Sequence, residues 1–146
     1  MDKNAKGVLI ISGGKSCDGA ISLLMQNKKY SLIIVADSGL VSAERLGIVP
    51  DYILGDFDSV SRPLLERYKT LSSQIISYPP EKDMTDTQIA IELAISHNPA
   101  WIDICGATGS RVDHMLANIH LLLMPLRVGI DACIYDDNNK IYLRNK

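Results

Sequence analysis

The sequence predicts an α/β fold: three layers, a mainly parallel sheet with helices on both faces, Rossmann-like in type. Short continuous apolar runs alternate along the chain with segments of helical periodicity, and this alternation implies βαβ units. Clusters of Gly, Pro, Asp and Asn punctuate the joins. At 146 residues the chain is sized for one domain with a core that needs no staples.

Gly7–Ser12 is apolar and β-branched, a buried-strand signal. A Ser-Gly-Gly-Lys turn leads to a helix over roughly Gly19–Asn27, then a strand at Leu32–Ala36. Ser38–Leu46 reads as a short helix stopped by Gly47 and Pro50, and Tyr52–Leu54 as a third strand. Ser61 is placed as an N-cap, with Pro63 in the first turn of a helix running to about Leu71. Gln74–Tyr78 is the next strand, closed by Pro79 and Pro80. Thr85 and Gln88 have capping-box spacing before a buried helix over Ile89–Ile95. Trp101–Cys105 is a strand, followed by Gly106-Ala107-Thr108-Gly109 and a helix to about Met124. Ile130–Tyr135 and Lys140–Leu143 pair as a C-terminal β-hairpin.

Composition excludes several classes. Apolar residues are 47% and charged residues 22%, a globular balance with a formal charge of −2, so no basic field invites nucleic acid. The three cysteines, Cys17, Cys105 and Cys133, are odd in number and widely spaced, which argues against a disulfide framework and a zinc site. Cys105 and Cys133 lie in apolar runs and read as buried core, which fits a reducing compartment. The N-terminal residues lack a signal-peptide pattern, and no apolar run approaches the roughly 20 residues that cross a bilayer. A soluble cytoplasmic protein with no membrane partner is expected.

In open α/β sheets, ligands bind beyond the carboxyl ends of the strands. Asp37 follows the second strand, and Asp56 and Asp58 follow the third. Lys82, Asp83 and Asp86 follow the fourth, and Gly106, Gly109, Arg111, Asp113 and His114 the fifth. Crowded carboxylates repel unless a cation sits among them. Oxygen ligands suit magnesium, manganese or calcium rather than zinc. Asp56 and Asp58 are two apart, so in extended backbone both face one ion. Taken singly, Asp37 suits a turn, while Asp83, Thr85 and Asp86 suit a helix start. The coincidence of five of these carboxylates, Asp37, Asp56, Asp58, Asp83 and Asp86, on one predicted edge favours a divalent-metal site.

Gly106 and Gly109 open a helix directly after a strand, where exposed N–H groups suit phosphate. Arg111 adds a guanidinium that pairs with phosphate oxygens. Arg111, His114 and Asn118 share one helix face, opposite Val112, Met115, Leu116, Ile119 and Leu122. Ser12-Gly13-Gly14-Lys15 offers a second phosphate loop, and a plain turn explains it equally. Neither a Walker A nor a G-x-G-x-x-G motif is present. The residues alone reach magnesium plus polyphosphate at the edge of a parallel sheet.

Four blocks resemble the thiamine pyrophosphokinase family: Ala36–Gly39, Pro50–Ser59, Lys82–Asp86 and Gly106–Asn118, in the family's order with similar gaps. One departure is Ser38, where the family usually carries glycine. The resemblance implies Mg2+-dependent transfer of pyrophosphate from ATP to the hydroxyl of thiamine, giving thiamine pyrophosphate and AMP. It implies Asp37, Asp56, Asp58, Asp83 and Asp86 as the catalytic and metal set. Lys82, Gly106, Gly109, Arg111, Asp113, His114 and Asn118 would be the ATP contacts. The resemblance also implies a homodimer in the complete protein and a C-terminal β-sandwich domain expected to be absent from this chain. Residues 1–146 would then be the catalytic, nucleotide-binding domain of an incomplete enzyme. The rival readings are a non-catalytic magnesium–nucleotide-binding domain and a magnesium-dependent phosphohydrolase.

Overall fold

In the computed structural model, residues 6–57, 61–71, 73–79 and 84–145 are described. Their strands form one sheet in the order β4-β3-β2-β1-β5-β6-β7. The strands are β1 (Gly7–Ile11), β2 (Tyr30–Ala36), β3 (Tyr52–Gly55), β4 (Gln74–Ser77), β5 (Trp101–Cys105), β6 (Asp131–Tyr135) and β7 (Lys140–Ile141). Every pairing is parallel except β6 with β7, which is antiparallel. The predicted hairpin is therefore present, with a second strand shorter than expected.

The helices are α1 (Asp18–Asn27), α2 (Gly39–Arg45), α3 (Arg62–Thr70), α4 (Asp86–Ser96), α5 (Val112–Leu121) and α6 (Leu123–Arg127). Two of the predicted caps form as expected. Ser61 accepts a hydrogen bond from Leu64 N–H at 3.4 Å, and Thr85 accepts one from Gln88 N–H at 3.1 Å. Each such cap contributes about 1 kcal/mol. The helix expected to run on to Met124 breaks at Leu122. Pro125 has no N–H to give to an uninterrupted helical ladder, and two helices result.

Side-chain alternation divides the core between the two faces of the sheet. Val8, Ile10, Ile34, Leu54, Ile102, Ile104 and Ile134 pack with Ala90, Ile91 and Ala94 of α4 and with Leu122. Leu9, Ile11, Val35, Ile53 and Cys105 pack with α1, α2 and Tyr68 of α3. Strands buried on both faces explain why their sequences read as continuous apolar runs. Cys17, Cys105 and Cys133 are free thiols and all buried. Among the described residues no helix is long and apolar enough to cross a membrane.

The chain steps outward from β1 through β2 and β3 to β4, then returns to place β5 on the other side of β1. The helices that follow β1 and β5, α1 and α5, pack on opposite faces of the sheet, and such a switch point is where these sheets open a crevice for ligand.

Candidate functional site

A cleft of about 510 Å³ lies at that switch point. The loop after β1 contributes Ser12, Gly13, Gly14 and Lys15, and the loop after β5 contributes Gly106 through Arg111. Asp37 and Ser38 follow β2, while Thr85, Asp86 and Thr87 open α4. His114, Met115, Ala117 and Asn118 of α5 complete the wall.

Close backbone contact holds the two switch-point loops together. Gly14 N–H donates to Gly106 O at 2.7 Å, and Lys15 N–H donates to Thr108 O at 2.9 Å. A Cβ on Gly14 would collide with the carbonyl oxygens of Gly106 and Thr108. Gly106 has φ of 76°, and a Cβ there would strike Ser12 O. Glycine is needed at both positions because one backbone lies against the other. Asn118 Nδ2 donates to Ala107 O at 2.9 Å, so the same loop is also tied to α5. Ser12 and Thr87 join hydroxyls at 2.7 Å in a buried contact between the β1 loop and the first turn of α4.

Asp37 sits immediately beyond β2 at φ of 50°, and its N–H donates to Leu54 O of β3 at 2.7 Å. A left-handed aspartate is uncommon and costly, and such strain concentrates at functional sites. The bond also draws the ends of β2 and β3 together, where Asp56 follows Gly55. Burial, and then the Asp86 carboxylate, push the Tyr78 phenol up to about 12, so the end of β4 stands beside the start of α4.

Of the expected site residues, Asp37, Asp86, Gly106, Gly109, Arg111, His114 and Asn118 line the one cleft. Asp56 and Asp113 do not line it. Asp113 instead accepts an ion pair from Arg111 at 2.9 Å, with side chains 64% and 67% exposed. That guanidinium holds its carboxyl below the usual range. Asp58, Lys82 and Asp83 lie outside the described residues. The expectation that Asp56 and Asp58 face one ion depends on Asp58 and so also falls outside the described residues; β3 ends at Gly55, and Phe57 has φ of 63°. The apolar side of α5 also differs from expectation. Leu122 is buried, but Val112 and Leu116 are 59% and 58% exposed. Among the described residues no three of His, Cys, Asp and Glu converge into a metal cluster.

Cleft residues missed by the sequence reading are Thr87, Ala107, Thr108, Ser110, Met115 and Ala117. The Ser-Gly-Gly-Lys turn was visible as a phosphate loop and also as a plain turn. Its pairing with Gly106 and Thr108 spans more than ninety residues of sequence, and no local signal carries such a contact.

A mainly parallel α/β sheet with glycine-rich loops and carboxylates around its switch-point cleft defines a ligand-binding domain of the type that works at strand ends. The chain belongs to the thiamin pyrophosphokinase family: the family model "Thiamin pyrophosphokinase, catalytic domain" matches residues 23–134. It is 33% identical over 138 residues to the thiamine pyrophosphokinase of Bacillus subtilis (strain 168), covering 94% of this chain and 64% of that protein. The crystal structure of thiamine pyrophosphokinase from Bacillus subtilis matches with a TM-score of 0.75 at 31% identity, covering 90% of this chain and 61% of that one. A thiamin pyrophosphokinase family protein from Enterococcus faecalis matches with a TM-score of 0.72 at 28% identity, covering 93% and 63%. The chain thus spans less than two thirds of the length of these relatives.

Proposed function

We propose that the complete protein is a cytoplasmic, homodimeric thiamine pyrophosphokinase, and that residues 1–146 are its catalytic, nucleotide-binding domain. The architecture is read as a three-layer, Rossmann-like unit, supported by the two apolar clusters on opposite faces of the sheet. One observation carries the functional reading. A single cleft joins two glycine-rich loops, Lys15, Arg111, Asp37 and Asp86 at the switch point.

ATP is the proposed nucleotide, with its phosphates against the loop Gly106–Arg111 and the start of α5. The N-cap of α5, Arg111, supplies no side-chain acceptor to the first turn. That turn's N–H groups and its positive dipole end suit phosphate oxygens. Lys15 and Arg111 add fixed positive charge where phosphoryl oxygens gather charge. His114 and Asn118 bound the nucleotide, with Asn118 also holding the loop through Ala107.

Mg2+ is the proposed ion, because Asp37 and Asp86 on the cleft wall, with Asp56 just past β3, offer the hard oxygen it takes. Asp58 and Asp83 are proposed for the same set, and Lys82 for the phosphates. When bound, the ion would neutralise phosphate charge. The reaction is attack of the thiamine hydroxyl on the β-phosphorus of ATP, with AMP leaving. Such transfers depend on positioning and electrostatics more than on covalent chemistry.

The test is nucleotide analysis of the full-length protein with ATP, Mg2+ and thiamine. AMP and thiamine pyrophosphate in equal amounts, with no free phosphate, are expected. Release of phosphate or pyrophosphate would make it a phosphohydrolase, and binding without turnover would make it a non-catalytic nucleotide-binding protein.

A further inference from the structure

The turn between β6 and β7 reaches in two directions at once. Asp136 Oδ2 accepts from the Thr108 hydroxyl at 3.1 Å, 28 residues earlier in the chain. Asp137 Oδ1 accepts from Ala20 N–H at 3.1 Å, 117 residues earlier, and so caps the first turn of α1 from across the fold. The N-cap residue of α1, Cys17, makes no side-chain cap of its own.

The Asp136 carboxylate is also fixed from behind. Its Oδ1 accepts from the N–H groups of Asn138 at 2.8 Å and Asn139 at 2.6 Å. Asn139 Nδ2 donates to Oδ2 at 3.1 Å. The carboxylate that meets Thr108 is therefore held in place before it makes that contact. Thr108 lines the cleft while Asp136 does not, and the Thr108 carbonyl accepts from Lys15 N–H.

We infer that Asp136 is a positioning residue for the cleft, acting through the Thr108 hydroxyl to hold the Gly106–Arg111 loop in its ligand-ready shape. Gly106 to Thr108 are buried, with Ala107 in the core, but the loop's outer half, Gly109 and Ser110, is exposed and has little packing of its own. Ordering it at the moment of binding would subtract from affinity, and a pre-formed strap removes that cost. A charge-assisted bond from a hydroxyl to a carboxylate is stronger than a neutral one and suits the task. This inference rests on the proposed nucleotide reading of the cleft, so its test includes a readout that needs no nucleotide.

The variants are Asp136→Ala, Thr108→Val, the double variant and Thr108→Ser. Amide hydrogen exchange is followed at residues 106–111 without ligand. Affinity is then titrated with Mg2+ and a non-hydrolysable ATP analogue. Asp136→Ala and Thr108→Val should each speed loop exchange and weaken the analogue roughly tenfold, with exchange in Ile102–Ile104 unchanged. At residues 106–111 and in affinity the double variant should match either single one, because both remove the same Thr108–Asp136 contact. Thr108→Ser, which keeps the hydroxyl, should behave as wild type. Additive losses in the double variant would overturn the inference. So would wild-type exchange in Thr108→Val, or faster exchange confined to residues 136–141. A wild-type protein that shows the exchange pattern yet fails to bind the analogue would sink the nucleotide reading and leave the strap standing.

Discussion

Asp103 and Asp37 belong to the same sheet and live under opposite rules. Asp103 is in the middle of β5 and 2% exposed. Lys28 Nζ lies 2.9 Å from its Oδ2, and the Tyr30 hydroxyl donates to the same oxygen at 2.6 Å. Burial, and then that bond, push the Tyr30 phenol well up from its ordinary value, which keeps it a neutral donor. Asp37 is one residue beyond β2, half-buried, left-handed in backbone and on the wall of an open cleft. A carboxylate inside a strand has to be neutralised by its own fold, because burying a lone charge is too costly. A carboxylate just past a strand end can turn to a ligand.

The largest expected effect lies at the strand ends. In the complete protein, Asp37→Asn and Asp56→Asn should each lower magnesium-dependent AMP release by at least about a hundredfold, with circular dichroism unchanged. Near-normal turnover in both would remove these carboxylates from the metal set and dissolve the contrast with Asp103.

Asp103→Ala should do the reverse. Removing one partner of a buried pair typically costs about 3–5 kcal/mol. Lys28 is 34% exposed, so water relieves part of the loss, and about 2 kcal/mol is expected. Urea unfolding measures it. Affinity for a magnesium–ATP analogue should hold within about twofold, since so small a change is well under 1 kcal/mol. A loss of affinity larger than the loss of stability would make Asp103 part of the site after all.

Arg111→Ala tests a residue whose fold-level role is small. Its pair with Asp113 is exposed and worth little to stability. Its contact with phosphate would be charge-assisted, so binding of the analogue should weaken roughly tenfold while the melting temperature stays put. Calorimetric titration decides it, and an unchanged dissociation constant would place Arg111 outside the cleft's chemistry.

The same division explains what the sequence revealed. Strand and helix order was legible because buried parallel strands are continuous in apolar residues and the helices carry local caps such as Ser61 and Thr85. Asp37, Asp86 and Arg111 were legible because position after a strand is itself a local feature. Asp103 escaped notice inside the apolar run Trp101–Cys105, since its partners Lys28 and Tyr30 are more than seventy residues away. Thr108 and Thr87 escaped for the same reason, their contacts being with Asp136 and Ser12. The exposure of Val112 and Leu116 overrode an amphipathic pattern that, read from α5 alone, assigned both to its apolar side.

Asp136 sharpens the comparison, because it follows a strand as Asp37 does and its carboxylate is held by several bonds from its own fold, as that of Asp103 is. Burial raises its pKa. The bonds from Asn138 N–H, the Asn139 side chain, the Thr108 hydroxyl and Asn139 N–H outweigh burial, and the carboxyl is held below its ordinary value of 3.8. A carboxyl with a lowered folded pKa contributes stability that is fully present above the unfolded value and lost as pH falls through the folded one. Asn at this position has no proton to gain. The stability difference between wild type and Asp136→Asn should therefore be constant from neutral pH down to about 5. It should then narrow as acid protonates the wild-type carboxylate. Urea midpoints for the two proteins across that range measure the gap, which is expected to be the smallest of these effects. A gap that stays constant to the acid limit would mean the carboxylate's charge is not what the turn and Thr108 hold, and Asp136 would then act through shape alone.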